Sequence, residues 1–365
     1  MGSLMAHQTS LQWLGRQLFN RDDPAAFFDP LLERLNPLWI RQYIPARVEA
    51  ITAETADTRT FRLRPASRWT GFEAGQHVTV GLEINGIRRH RTFSLSSAPG
   101  QWTRSGTITL TIKRLPGGVV TNWMHDNLAV GDTVSLGNAF GEFRPPAANE
   151  PALYIAGGSG ITPILSQLET LANRQHEAPV TLLYFVRSQA DIIGAERLYT
   201  LRQQWPALSL TIVTSDGPEP RRLDDSHLAA IPDLTTRRCY LCGPSGLMSL
   251  AQALLAARQV EEDRILCTFF APPKAVAIDA RGGQIQFRKS NVRVNSADDT
   301  SLLELAESAR LSPRHGCRMG ICHQCSCRKT RGTVINRLTG QQSGPGEETI
   351  QLCISVPQGD VDIEL

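Results

Sequence analysis

The first 238 residues contain no cysteine, and all eight in the 365-residue chain fall between Cys239 and Cys353. A structural disulfide framework is disfavoured in a reducing cytosol. Grouped cysteines in a reducing compartment point instead to metal or redox chemistry. Long hydrophobic runs are also missing: nothing approaches the ~18 apolar residues a membrane span needs. The opening MGSLMAHQTSLQWLGRQLF lacks the basic and apolar regions of a secretion signal, and Ala6 stands where a myristoylation motif after Gly2 requires Ser or Thr. Charge of one sign is not in excess, with 38 Lys+Arg against 35 Asp+Glu for a net +3. That balance lacks the basic field of a nucleic-acid binder, so no nucleic-acid partner is expected. No internal repeat or low-complexity tract is present. These absences describe a cytoplasmic, globular protein.

At about 150 residues per domain the length implies two or three domains. Residues 1–42 read as a helical N-terminal extension, Leu11–Phe19 and Ala25–Leu35, broken by Asp23-Pro24 and ended by Asn36-Pro37. Over 43–147, short alternating segments recur between turn signals, among them GQHVTVGLEI and TITLTIKRL. Such spacing predicts an antiparallel β-barrel, interrupted by one helix, Val119–Leu128. Over 148–270, apolar strand-like runs alternate with helix-length segments such as Pro163–Arg174 and Leu247–Arg258, which predicts an α/β doubly wound parallel sheet. A proline-bearing linker, 271–281, precedes a third compact unit, 282–365.

That last unit carries Cys317-x4-Cys322-x2-Cys325, then 27 residues, then Cys353. This is the plant-type spacing for a [2Fe–2S] cluster held by four thiolates. Zinc modules more often present paired Cys-x2-Cys knuckles, which the x4 gap does not match. Gly316 and Gly320 let backbone amides turn toward the sulfurs, and Cys327 is expected to be a spectator. The unit resembles a plant-type ferredoxin, a β-grasp (α+β) fold, through to its closing CISVPQGDVDIEL. It departs in charge: residues 281–365 hold 11 Lys+Arg against 9 Asp+Glu, where plant ferredoxins are strongly acidic.

Three weaker signals precede it. LYIAGGSGITPILS ends a strand, turns through Gly157, Gly158, Ser159 and Gly160, and opens a helix at Thr162, whose free amides suit a phosphate. A second strand-to-loop transition, Cys242-Gly243-Pro244, belongs at the same crevice of a doubly wound sheet, with Cys242 beside a nicotinamide ring or simply filling a strand end. In the barrel, Arg91 suits a diphosphate, Phe93 can pack on a flat ring, and Ser94 can hydrogen-bond its edge. Gly117-Gly118-Val119-Val120-Thr121 adds amides and a hydroxyl.

Taken in order, RTFS, GGxxT, GGSGITP and CGP make residues 43–270 resemble the ferredoxin–NADP reductase superfamily. The resemblance implies FAD on Arg91, Thr92, Phe93, Ser94 and Gly117–Thr121, and a nicotinamide dinucleotide on Gly157–Thr162 and Cys242–Pro244. Two departures stand out: Thr268 replaces the usual acid near the end of the module, and Phe93 replaces the usual tyrosine. Phe270 is expected beside the flavin or in the core. Ser94, Cys242 and Phe270 are the residues expected at the reacting rings. Arg187-Ser188, basic and hydroxyl-bearing at a strand end, favours NADPH, while Asp191 keeps NADH open.

The assembled expectation is an oxidoreductase that takes a hydride pair from NAD(P)H and releases single electrons through the cluster to a partner protein. The resemblance extends to reductases of oxygenases, hybrid-cluster proteins and membrane fatty-acyl desaturases. The stretches LQWLGRQLF and FFDPLLERLNPLW favour the desaturase partner; they either cover the barrel or contact that partner or the inner membrane face. A redox-sensing electron-transfer subunit is the reading from another class.

Overall fold

The structure, a computed structural model, describes residues 44–216, 221–270, 281–296, 299–311, 313, 320 and 325–365. The expected N-terminal helices, residues 271–280 of the linker, and Cys317 and Cys322 lie outside the described residues.

Six antiparallel strands, β1 (Ile44–Thr55), β2 (Thr58–Pro65), β3 (His77–Ile84), β4 (Ile87–Ser94), β5 (Ile108–Lys113) and β6 (Thr133–Phe140), form a sheet ordered β4-β3-β6-β1-β2-β5. A bridge between Leu95 and Leu110 joins its two edges, giving the expected barrel. The β3–β4 hairpin turns through Asn85 (φ 53°) and Gly86 (φ 74°), the two left-handed residues that a tight hairpin compatible with strand twist requires. Alternation in β3 sends Val78, Val80, Leu82 and Ile84 into a core with Phe61, Leu63 and Leu110. Its opposite face, His77, Thr79 and Gly81, is buried as well although it is polar or bare. Two helices decorate the barrel. α2 (Val119–Asn127) matches the expected helix to within a residue, whereas α1 (Pro99–Ser105) was not expected. It is seven residues long, buries none of them, and ends at Gly106 (φ 65°), so it carries no hydrophobic periodicity to read.

The nucleotide domain holds five parallel strands, β7 (Ala152–Gly157), β8 (Val180–Val186), β9 (Leu208–Thr214), β10 (Arg238–Cys242) and β11 (Ile265–Thr268), ordered β11-β10-β7-β8-β9. One 3-10 turn (Gly158–Gly160) leads into α3 (Ile161–Asn173); α4 (Ala195–Gln204), α5 (Asp225–Ala229) and α6 (Ser245–Ala257) complete the layers. α3 and α6 each start two residues earlier than periodicity suggested, because Pro163 and Leu247 lie inside the first turn. Separate apolar clusters pack on the two faces of the sheet. The strand order reverses between β7 and β10, and there the two loops after those strands meet.

The C-terminal unit has a five-stranded sheet, β13-β12-β18-β14-β16, from β12 (Gly283–Phe287), β13 (Val292–Ser296), β14 (Ser326–Arg331), β16 (Glu348–Gln351) and β18 (Val361–Ile363). A side ladder pairs β15 (Val334–Asn336) with β17 (Ser355–Pro357). Its helix α7 (Leu302–Ser308), the only one among the described residues of this unit, starts at a capping box in which Ser301 and Glu304 satisfy each other's backbone amides, and it buries Leu302, Leu303 and Leu305 against the sheet.

Candidate cofactor sites

A cavity of about 300 Å³ opens between the barrel and the nucleotide domain. It collects residues that lie far apart in the chain: Arg91, Thr92, Phe93 and Ser94 from β4; Gly118, Val119, Val120 and Thr121 at the start of α2; Ser159 and Thr162 from the nucleotide domain; and Phe270. Gly117 (φ 72°) makes the turn before α2. The Thr121 hydroxyl accepts from Leu115 N at 3.2 Å, fixing the loop. Arg91 is exposed, bonded only to the carbonyl of His90 among the described residues, so its guanidinium is available to an anion.

Sequence reasoning missed His77, Thr111 and Lys113, which also line this cavity, as does Thr268. His77 carries the most information. Its side chain is 4% exposed, its Nε2 is buried without a partner, and burial lowers its pKa to about 4, leaving it neutral. Thr92 Oγ1 is likewise buried and unpartnered. A largely apolar cavity with polar atoms still unpaired fits a planar heteroaromatic ring that brings its own donors and acceptors. The missed signal was register: alternation puts His77 and Thr79 on one face of β3, opposite Ser94 and Thr92 of β4.

The expected nucleotide residues form a second cluster at the β7/β10 switch point. A Cβ on Gly160 would sit 2.1 Å from the Cys242 carbonyl oxygen, and one on Gly157 would sit 2.7 Å from Pro244 Cδ. These glycines let two loops touch backbone to backbone. Cys242 does not line the cavity. Its side chain is fully buried in the sheet core, and burial pushes its thiol well above the ordinary range, so the strand-end packing reading fits the geometry. Thr268 pairs with Cys242 across β10 and β11. Arg187 and Ser188 stand apart from the cavity, and Asp191 engages both: Ser188 Oγ donates to Asp191 Oδ2 at 2.7 Å and Arg187 lies 3.3 Å from Oδ1. The Ser188 hydrogen bond, with Arg187 beside it, holds the Asp191 carboxyl below its usual range. The hydroxyl expected to greet a 2′-phosphate therefore has its only proton committed.

Barrel and nucleotide domain meet through buried polar contacts. Ser166 Oγ donates to Ser97 O at 2.6 Å, Gln167 Nε2 to Phe143 O at 2.6 Å, and Gly194 N to Glu54 Oε2 at 3.1 Å. Arg197 joins Glu169 to the Ser96 carbonyl.

In the C-terminal unit the Sγ atoms of Cys325 and Cys353 lie 3.3 Å apart, both side chains buried. Two sulfurs on one tetrahedral metal at ~2.3 Å lie about 3.8 Å apart, so this pair fits a shared metal ion. Gly320 (φ 75°) packs where a Cβ would meet Ile354, and its carbonyl accepts from Gln351 Nε2 at 2.8 Å. Those contacts tie the cysteine loop to the strand beside Cys353. Cys327 points elsewhere, toward the Glu364 carbonyl.

Family models match the chain in the same three parts: an oxidoreductase FAD-binding domain over 45–144, an oxidoreductase NAD-binding domain over 154–253, and a 2Fe-2S iron-sulfur cluster binding domain over 285–358. An NADPH oxidoreductase of Mycobacterium tuberculosis is 30% identical over 92% of this chain and 88% of its own length. The glycine betaine monooxygenase reductase subunit of Pseudomonas aeruginosa is 29% identical over 90% of this chain and 98% of its own. Phthalate dioxygenase reductase, described as a modular structure for electron transfer from pyridine nucleotides to [2Fe–2S], superposes with a TM-score of 0.62 at 21% identity, covering 88% of this chain and 98% of that one. The cofactors are FAD, a nicotinamide dinucleotide and a [2Fe–2S] cluster. The chain belongs to the ferredoxin–NADP reductase superfamily, in the branch of NAD(P)H-dependent flavin reductases that carry a C-terminal [2Fe–2S] domain.

Proposed function

We propose that this reductase carries electrons from NADPH to a separate oxygen-activating metalloenzyme. One observation carries the residue assignments: the β4 motif, the Gly118 turn, Ser159, Thr162 and Phe270 converge on one cavity. In this reading Arg91 and the amides at Gly118–Thr121 hold the FAD diphosphate, Phe93 covers a ring face, and Ser94 bonds the ring edge. The Gly157–Gly160 and Cys242–Pro244 loops form the nucleotide crevice at the switch point, with Cys242 supporting it from within the sheet. Phe270, 42% exposed, forms the outer wall on which a nicotinamide would approach. Held by these residues, FAD would supply the hydride acceptor, and a cluster held by Cys317, Cys322, Cys325 and Cys353 would supply single-electron transfer.

The acceptor class rests on the relatives, whose names assign them to a monooxygenase and a dioxygenase. An oxygenase is the first candidate. A fatty-acyl desaturase belongs to the same oxygen-activating class and rests on the sequence of residues 1–42 alone. NADPH is assigned on Arg187, which must leave Asp191 to meet a 2′-phosphate; if Asp191 keeps it, NADH is the better donor.

An anaerobic titration with NADPH and, separately, NADH tests this. Flavin and cluster absorbance are expected to bleach together, faster with NADPH, and Arg187→Ala is expected to erase that preference. Cys317→Ser is expected to keep flavin reduction and lose transfer to one-electron acceptors. Failure of both nucleotides to bleach the loaded protein would replace the reductase with the redox-sensing reading. Unchanged lipid desaturation in cells lacking this chain, with no substitute reductase, would remove the desaturase.

A further inference from the structure

The outer face of β5 carries a row of hydroxyls that leads from the flavin cavity to a carboxylate. Strand alternation sends Ile108, Leu110 and Ile112 into the barrel core and leaves Thr109, Thr111 and Lys113 on the opposite face. Thr111 and Lys113 line the cavity. Thr111 stands directly across the ladder from Thr60 of β2, and their Oγ1 atoms are 2.7 Å apart. Thr60 Oγ1 in turn donates to Glu54 Oε1 at 2.6 Å. On its other side, Thr111 Oγ1 lies 2.9 Å from the hydroxyl of the fully buried Ser96. Thr111 is buried and Glu54 half-buried, so the row runs from the interior toward the surface.

Each hydroxyl has one proton to give and two lone pairs, which fixes the direction of the row. An ionised carboxylate only accepts, so the Thr60 proton is committed to Glu54. Thr60 must then accept from Thr111, which leaves Thr111 with at least one lone pair beyond the one facing Ser96.

The cavity needs such an exit. A hydride brings two electrons and one proton, and once the electrons have left singly for the cluster the proton stays behind. No carboxylate lines the cavity among the described residues. Arg91 and Lys113 are already cations, and burial holds His77 neutral. Of the lining hydroxyls, Thr92 has no partner, Thr162 donates to the Ser159 carbonyl, and Thr121 accepts from Leu115 N. Among the described residues, Thr111 is the one whose hydrogen bonds reach a carboxylate.

We propose that Thr111, Thr60 and Glu54 are the proton exit of the flavin cavity. Thr111 Oγ1 takes the proton, the Thr111 hydroxyl proton passes to Thr60 Oγ1, and Thr60 passes its own to Glu54 Oε1, which gives it to water. Each hydroxyl forms one O–H bond and breaks one, no electrons move with the proton, and the hydroxyls turn back before the next turnover. This rests on the assignment of FAD to the cavity.

Stopped-flow reoxidation tests the exit. The FAD-loaded full chain, reduced anaerobically with one equivalent of NADPH, is mixed with ferricyanide in unbuffered solution containing a pH-indicator dye, and flavin absorbance and proton release are followed together. Thr60→Val, which cuts the row in the middle, is expected to slow proton release about a hundredfold, the low end of what a positioned proton-transfer group contributes. FAD content and the equilibrium flavin potential should not move, because a route changes rates and not end states. Thr60→Ser, which returns the hydroxyl, is expected to recover the rate. Glu54→Gln keeps the bond from Thr60 but removes the base; it should slow release equally, add nothing to Thr60→Val, and serve as the working variant if Thr60→Val does not fold. Release as fast as in the unaltered chain in either variant overturns the exit, as does a Thr60→Ser protein as slow as Thr60→Val. Undiminished FAD affinity in Arg91→Ala would instead overturn the placement of the flavin in this cavity.

Discussion

The barrel and the nucleotide domain are alike in size and differ in how completely each satisfies its own polar atoms. Among the described residues, the barrel contains five buried side-chain atoms without a hydrogen-bond partner, on His77, Thr79, Arg89, Thr92 and Asn122. Among its described residues, the nucleotide domain, 152–268, contains none. Its three buried tyrosines show the contrast. Tyr154 donates to Gln167 at 2.9 Å, Tyr184 donates to the Gly158 carbonyl at 3.0 Å and accepts from Ile193 N, and Tyr240 stacks on Tyr154 at 4.7 Å. Buried polar atoms are costly to leave unpaired, about 1–3 kcal/mol each. Of the five residues, His77 and Thr92 line the cavity, and a domain that holds its ligand permanently can leave their pairing to the ligand, whereas one that exchanges its ligand at every turnover must be complete without it.

The largest expected effect comes from the flavin. Saturating FAD at about a thousand times its Kd stabilises what it binds by ~4 kcal/mol. Hydrogen exchange on flavin-depleted protein should therefore show protection falling across β3 and β4 while β7 and β8 change little. Equal losses in both domains would break the comparison.

Acid should separate the domains next. The folded pKa of His77, about 4, lies below its ordinary 6.5, so the unfolded chain binds the extra proton. The contribution of His77 to the stability of the flavin-free barrel should thus be constant above about pH 6.5, decline toward pH 4, and be constant again below, a loss on the order of 3 kcal/mol. His77→Phe should flatten this slope in urea unfolding measured across that range.

Gly160→Ala addresses the completeness of the nucleotide domain from the packing side. With a Cβ placed 2.1 Å from a backbone oxygen, the β7 and β10 loops must part, for ~2 kcal/mol of stability and a clear loss of nucleotide affinity in a binding titration. The smallest effects form a pair of opposite sign. Tyr154→Phe strips the partner from a buried Gln167 oxygen and should cost about 1 kcal/mol, while Thr79→Val removes an atom already unpartnered and should be neutral or stabilising by up to ~1 kcal/mol. Denaturant midpoints measure both.

Much of this architecture could be read from residue patterns. Period-2 alternation located the barrel strands, the change at Pro151 to strand–helix alternation located the parallel sheet, and the cysteine spacing marked the last unit. Local motifs with a mechanism, such as Arg91–Ser94 and Gly118–Thr121, converge on one cavity because each is positioned by its own strand end or helix start. What escaped reading depends on contacts between distant segments. His77 is one residue in a strand, and its meaning comes from the register that sets it opposite Ser94 and from Phe140 and Gly141 pinning its ring. Ser188 is the local exception: it resembled an open phosphate site, and a capping box brings Asp191, three residues on, back onto it. Cys242 shows that position in a motif does not determine which way a side chain points: the loop it begins faces the crevice, while its thiol faces the core.

Phe270 is both a wall of the flavin cavity and the last described residue of the nucleotide domain, and only ten residues separate it from Arg281. A chain of that length reaches at most about 36 Å, so under the proposed assignment the tether to the ferredoxin domain starts at the flavin. A partner attached this way is present at an effective concentration of order millimolar. The first electron transfer out of the flavin is therefore insensitive to how much protein the cell makes; only the step from cluster to external acceptor responds to abundance.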